Sequence, residues 1–371
     1  MLRLLHEFQL EFRPYRLAVA SESGRVVVGS ADSPGTWALL NFDRERGFTS
    51  NATHSRLAGL RPFAASNGTI LFARREGGEL VVAELGPSDE IREARYEAVG
   101  ENGERRFVGG FSEDRVAFKT SKGTELFRFP GTQCVGQIDQ QIDDVWTHPS
   151  GKLVAFTLWD NDWQQLGFYA NDGVTRQWLT PLLETFDMID AVAFSGDGRV
   201  MGLISRWGKE VCTSLYSFPK FRLLHHSTRN WDDRLGDSKH VSIEGGIAFH
   251  PRRERYFTCE PGGAIVERDY VSGREVSVTD AHNGRVWQVE SLPRLDALVS
   301  IGSDNLIKLW SHSDAPATDP PPLVCDAEIM PACLQYMGAV DESVLKRFET
   351  WHTIAPMTSF RAADEKVFDG E

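Results

Sequence analysis

Cysteine is scarce in this chain, and the few cysteines present form no pattern. Cys134, Cys212, Cys259, Cys325 and Cys333 are scattered over 371 residues, odd in number and without CxxC spacing. That argues against a disulfide framework and against a zinc or redox motif, and it points to a reducing compartment, so a cytoplasmic location is expected. Long apolar runs are missing too. The amino end, MLRLLHEFQLEFRP, carries Arg3, His6 and Glu7 where a secretory signal needs an apolar core, and no stretch reaches membrane-spanning length. Positive charge is short: 40 Lys and Arg stand against 53 Asp and Glu, a net charge of −13. A chain of that sign is not expected to bind nucleic acid or an anionic membrane.

Catalytic signatures are also absent. There is no GxSxG elbow, P-loop, GxGxxG or HExxH. The paired acids Asp143-Asp144 and Asp232-Asp233 are adjacent in sequence, so their side chains point apart and need not share a site. The densest set of metal-ligating residue types, HHSTRNWDDRLGDSKH at 225–240, has the spacing of no metal motif and reads as a solvated loop. The expectation is therefore no catalytic set, no metal and no cofactor. The alternative is an enzyme or small-molecule binder working at the mouth of a central channel.

What the chain does have is a repeat. A short apolar run, a turn rich in Gly, Ser, Pro or Asp, and a second apolar run recur seven times. Examples are RLAVASESGRVVVGS from 16, RFVGGFSEDRVAFKT from 106, DAVAFSGDGRVMGLI from 190 and RVWQVESLPRLDALVS from 285. The turns centre on Gly24, Gly68, Asp114, Gly151, Gly198, Glu254 and Leu295, a mean period of about 45 residues. Hairpins at that period imply an all-β, seven-bladed propeller of four-stranded blades, because radial repetition leaves few exposed sheet edges. A β-sandwich has no ready place for seven such units. Hydrophobic residues at 41% supply the core such a fold needs.

One unit carries a family likeness. AHNGRVWQVESLPRLDALVSIGSDNLIKLW, 281–310, resembles a WD-repeat, with His282, Ser300, Asp304 and Trp310 at the positions of that family's hydrogen-bonded tetrad. The resemblance implies that these four side chains lock the last blade. The other six units match in outline, with Arg268, Tyr216 and Tyr169 at the tryptophan position of units six, five and four. THPSGKLVAF and AFSGDGRVMG are similar to propellers attached to prolyl-oligopeptidase-type peptidases, but no hydrolase signature accompanies them.

The expected domain organisation is a propeller over 1–312, a proline-rich linker at 313–322 (SDAPATDPPP) and an extension at 323–371. The seventh unit lacks an outer strand, and residues 2–10 form a spare β-like run that is expected to supply it. In the extension, Val344, Leu345, Phe348, Trp351, His352 and Ala355 share one helical face, so a helix is expected near 341–355.

Function is expected at turns on one propeller face, in a non-enzymatic scaffold or recognition subunit whose partners are one or more proteins. Residues 131–200 hold three bases and ten acids together with Trp146, Trp159, Trp163 and Trp178. Within and beside that region the expected binding residues are Trp159, Asp160, Asp162 and Trp163 in LWDNDW, with Arg206, Trp207 and Lys209 in SRWGKE, and Arg229 and Trp231. LWDNDW reads as a turn longer than a hairpin needs. Large aromatics and arginine dominate interface energetics, which favours these turns over Arg74, Arg75, Lys119 and Lys122 of units two and three, which lack aromatics.

Overall fold

In a computed structural model, the chain is described from residue 2 to residue 312. The exceptions are 21–23, 34, 44–46, 51–56, 58, 67–68, 87, 112–113, 150–152, 161–162, 172–174, 187, 208–209, 219–221, 231–245 and 261. The chain divides into two units, Met1–Asp326 and Ala327–Glu371, and every described residue belongs to the first. The expected linker at 313–322 and the helix near 341–355 lie outside the described residues.

The first strand, β1 (Leu2–Gln9), is separated from the blade that follows it in sequence. Blade one is β2 (Pro14–Ala20), β3 (Arg25–Ser30), β4 (Trp37–Asp43) and β5 (Gly47–Ser50). Blade two is β6 (Arg61–Ser66), β7 (Thr69–Glu76), β8 (Glu79–Leu85) and β9 (Ile91–Glu97), followed by a small hairpin of β10 (Val99–Gly100) and β11 (Gly103–Glu104). Blade three is β12 (Arg106–Gly110), β13 (Arg115–Thr120), β14 (Gly123–Arg128) and β15 (Cys134–Ile138). Blade four is β16 (Ile142–Thr147), β17 (Leu153–Asp160), β18 (Trp163–Asn171) and β19 (Thr175–Phe186). Blade five is β20 (Met188–Phe194), β21 (Val200–Trp207), β22 (Glu210–Ser217) and β23 (Arg222–Asn230). Blade six is β24 (Ile247–Phe249), β25 (Arg255–Glu260), β26 (Ala264–Asp269) and β27 (Glu275–Asp280). Blade seven is built from β28 (Val286–Leu292), β29 (Ala297–Gly302) and β30 (Leu306–His312), with β1 as its fourth strand.

Each blade is an antiparallel sheet whose strands follow in chain order, except that β1 is the outer strand of blade seven, and the seven blades form a closed propeller. The core therefore lies between blades rather than at one centre. Both faces of a middle strand meet a neighbouring blade, which is why β29, ALVSIG, is buried at every residue while the outer β27, EVSVTD, is largely exposed. Leu17, Val26 and Leu40 of blade one pack with Val299, Ile301 and Leu309 of blade seven. Between blades four and five the filling is aromatic: His148, Phe168, Phe194 and Phe218 stack at centroid distances of 4.9 to 5.7 Å.

Two devices join the chain's first and last blades. On the rim, β1 pairs antiparallel with β30 from Leu2↔His312 to Gln9↔Leu306, with a bulge between Leu4 and His6. On the inner edge, the Gln288 amide spans the seam. Its Oε1 accepts the Leu17 N–H at 2.9 Å and its Nε2 donates to the Leu17 carbonyl at 3.1 Å. The same Nε2 lies 2.8 Å from Glu290 Oε1, and burial pushes the Glu290 carboxyl up to about 7.

Within blade seven, a chain of side-chain hydrogen bonds ties two strands, the loop that precedes the blade and a turn. Trp310 Nε1–H donates to Ser300 Oγ at 2.9 Å, Ser300 Oγ lies 2.8 Å from His282 Nε2, and His282 Nδ1 lies 2.9 Å from Asp304 Oδ1. Burial holds the His282 imidazole below its ordinary pKa, against the pull of Asp304, so the ring is neutral: Nδ1–H donates to the carboxylate and Nε2 accepts from the serine. Burial alone would raise the Asp304 carboxyl. The bonds from His282 and from the backbone N–H groups of Asn283 and Leu306 outweigh it and hold Asp304 low. Blade six reproduces one link with different chemistry: Arg268, on the strand position of Trp310, donates through Nη1 to Thr258 Oγ1 and pairs with Glu260 at 3.1 Å. In blades four and five the residues that correspond to Ser300 by register are Phe156 and Leu203, both buried, so the serine link is replaced by apolar packing.

Candidate functional site

An open cleft of about 1320 Å³ lies on the face where the inner strands begin. Antiparallel pairing brings the start of each first strand beside the end of the second, as in Pro14↔Ser30, Arg61↔Ala73 and Arg106↔Lys119. Residues far apart in sequence thus reach one wall. Blade one contributes Arg13, Tyr15 and Arg16, and blade two contributes Phe63, Arg74 and Arg75. Blade three adds Arg105, Arg106, Phe107 and Lys119, and blade seven adds Arg285 and Trp287.

The wall reverses the sign of the whole chain. Among the described residues, seven arginines and a lysine line it, and the one acidic residue of the lining is Glu104. Other carboxylates anchor the cations from beside or beneath. Lys119 Nζ donates to Asp143 at 2.6 Å, and Arg105 donates to the buried Glu125 at 2.5 Å while its guanidinium lies 5.0 Å from the Phe127 ring. The outer pairs are looser. Arg13–Asp32 at 2.9 Å joins two half-exposed side chains, Arg75 pairs with the exposed Glu104, and Arg16 reaches Asp144 only at 3.7 Å. Such exposed pairs contribute about 0–1 kcal/mol each and exchange readily for another carboxylate. Arg106 is exposed and makes no hydrogen bond or ion pair with a described residue, although it stands directly across the ladder from Lys119. Asp143, bonded to Lys119, offsets the like charge across this ladder, and the Arg106 charge also acts on Asp144.

Apolar surface accompanies the cations. Phe63 and Phe107 meet edge to face at 4.6 Å, with the Arg16 guanidinium 5.6 Å from the Phe63 ring, and Arg285 lies 5.8 Å from the Trp287 ring. Towards blades four and five the inner strands turn acidic. Burial raises the Asp144 carboxyl against Arg16, and burial raises Asp190 against its two bonds from Arg206, at 2.9 and 2.7 Å. Asp143 and Asp144, adjacent in sequence, take different partners on different blades.

Those residues singled out in the sequence that are described fall at the same end of the ring, with corrections. Asp160 pairs with Trp163 in the β17–β18 ladder, so LWDNDW closes over two residues and is a tight hairpin rather than a long turn. The excess length inferred from sequence came from assigning strand residues to the turn. Trp207 likewise pairs with Glu210 at the end of the β21–β22 hairpin. Arg206 is held by Asp190, and Arg229 donates to the Cys259 carbonyl and pairs with Glu260, so both guanidinium groups brace neighbouring elements rather than standing free. Asp162, Lys209 and Trp231 lie outside the described residues, as do the side chains of Trp159, Asp160, Trp163 and Trp207. Of the cluster at 225–240, His225 and His226 are described, and no group of His, Cys, Asp and Glu with metal-holding geometry occurs among the described residues.

Sequence reasoning set aside Arg74, Arg75, Lys119 and Lys122 for want of aromatics. The aromatics come instead from other strands, and of these four bases only Lys122 is off the cleft wall. A signal was present: an arginine two residues ahead of an aromatic opens four inner strands, as Arg13-Tyr15, Arg61-Phe63, Arg105-Phe107 and Arg285-Trp287. No protein-family model matches the chain, and no curated protein matches it either. No helix among the described residues is long and apolar enough to cross a membrane.

Proposed function

We propose that this chain is a recognition subunit that holds another protein against the cleft face of its propeller, by binding rather than by catalysis. The observation that carries the reading is the cleft itself, arginines and aromatics on a closed rigid ring, with the like-charged Arg106 and Lys119 facing each other at its wall. Arginine and aromatic side chains dominate interface energetics, and rigid scaffolds that present recognition at strand ends lose little entropy on binding. The β17–β18 and β21–β22 hairpins, which carry Trp159, Asp160, Trp163 and Trp207, extend the same face beyond the cleft. The chain's net charge of −13 supports a protein partner over nucleic acid or an anionic membrane, and its cysteine usage supports the cytoplasm. The hydrogen-bonded chain from Trp310 to Asp304 supports a WD-repeat-like ring.

The test is site-specific photo-crosslinking in the native source. A benzophenone amino acid at Tyr15, on the cleft wall, should capture a protein partner, and the same group at Val271, exposed in the β26–β27 turn at the other end of the ring, should not. Capture from Val271 alone would contradict the reading.

A further inference from the structure

We infer that the occupant of the cleft is an extended acidic segment of a partner chain, in which carboxylate or phosphorylated side chains alternate with apolar ones. This deepens the recognition reading and rests on it. Charge supplies the first argument. In a chain with 13 more acids than bases, the cleft wall reverses the sign with seven arginines and a lysine, which an anionic occupant complements. Geometry supplies the second. The cations are almost all arginines, whose planar fork matches a carboxylate or phosphate edge in two parallel bonds.

Size and surface choose among anions. The cleft, at about 1320 Å³, exceeds the roughly 300–1,000 Å³ of small-molecule pockets, which suits a length of chain. Phe63, Phe107 and Tyr15 sit between the arginines, so an occupant gains most by presenting apolar groups between its charges. A nucleic-acid strand presents charge at every residue and would approach a chain whose net charge is −13, which favours a peptide. The ion pairs that close Arg75 and Arg16 are the exposed, weak kind, which an incoming carboxylate displaces at little cost.

Fluorescence anisotropy on the full chain tests this with four labelled probes. These are a short peptide alternating glutamate and leucine, its counterpart with phosphoserine for glutamate, a lysine-leucine peptide, and an oligothymidylate of matching charge. Both acidic peptides should bind, more weakly as salt rises, and the relative affinity of the two identifies which anion the cleft prefers. Reversing Arg75→Glu and Arg106→Glu together should weaken binding by about tenfold or more. Reversing Arg128→Glu and Arg274→Glu, near the turns at the opposite end of the ring, should leave it unchanged. Arg106→Ala alone, which removes no side-chain hydrogen bond or ion pair with a described residue, provides a milder variant that should weaken binding measurably. Equal binding by wild type and the Arg75/Arg106 double variant, or tighter binding of the oligothymidylate than of either acidic peptide, would overturn the inference. Tyr15 crosslinking run on the same variants separates the two levels. A partner still captured at Tyr15 when no acidic peptide binds sinks the acidic occupant and leaves the recognition reading standing, whereas loss of capture in wild type sinks both.

Discussion

Replacing Ser300 by alanine removes one oxygen and should destabilise the ring far more than that change in volume suggests. Ser300 is fully buried, and its Oγ serves two partners at once, accepting from Trp310 Nε1–H at 2.9 Å and bonding His282 Nε2 at 2.8 Å. Alanine leaves an indole donor and an imidazole acceptor without their partner beside the buried cluster that packs Trp310 with Leu298, Val286 and Phe257. A buried polar group without a partner costs about 1–3 kcal/mol, so two together predict a loss of about 2–5 kcal/mol. Trp310→Phe in the same background removes one of the stranded groups, so the two substitutions should not add: the double variant should be about 1–2 kcal/mol more stable than the sum of the single losses predicts. Urea unfolding at pH 7, followed by circular dichroism and by intrinsic fluorescence, measures all three variants. Additivity within about 0.5 kcal/mol would refute the linked chain and reduce the four residues to ordinary packing.

Four further outcomes follow from the structure. A Cβ on Gly263, at φ +92°, would lie 2.1 Å from the His282 carbonyl oxygen and 2.3 Å from that of Gly284, so Gly263→Ala should cost about 3 kcal/mol or more. Gly262→Ala, at φ +88° with open space around it, should cost only about 1 kcal/mol by the same unfolding assay. Burial lowers His148 to about 4, His250 to about 3 and His312 to about 4, from 6.5 in the unfolded chain. Folded values below unfolded ones mean stability that is whole above pH 6.5 and lost as pH falls from there towards about 4, which a melting series across that range checks. Glu290 acts in the opposite sense, favouring the folded state at low pH and losing that advantage as pH rises from 4.5 to about 7, so the stability of Glu290→Gln relative to wild type should increase across that window. Deleting residues 1–10 exposes the edge of β30 along Leu306–His312 and removes the buried Leu2 and Leu10, so the melting temperature should fall sharply; an unchanged transition would mean that β1 adds nothing to closure.

The ring was legible in the sequence because its middle strands are buried on both faces. Runs such as VVVGS, LFARR and LVSIG stand out as apolar stretches between turns at a steady period, and the propeller repeats that unit without exception. The cleft was harder to read because it depends on which strand ends converge. Tyr15, Phe63, Arg106 and Arg285 are strangers in sequence, and only the closed ring makes them neighbours. Counting bases and aromatics unit by unit separates the arginines of blade two from the rings that blades one, three and seven bring beside them. The tryptophans of LWDNDW misled for a related reason: Trp159 and Trp163 belong to strands, and a turn of two residues separates Asp160 from Trp163. Ion pairs across strands and between blades are equally invisible in a linear reading, since nothing near Arg206 or Arg229 in sequence marks Asp190 or Glu260 as the partner. The substitution of Arg268 for tryptophan shows the same limit, because its donor role becomes evident only once Thr258 is seen beside it.

Amide hydrogen exchange, with and without the protein captured at Tyr15, tests the recognition face most directly. Bound partner should slow exchange at the starts of β2, β6, β12 and β28 and at the ends of β7 and β13, the segments that form the cleft wall. Protection confined to the opposite end of the ring, at the β14–β15 and β26–β27 turns, with the cleft segments exchanging as in the free protein, would contradict it.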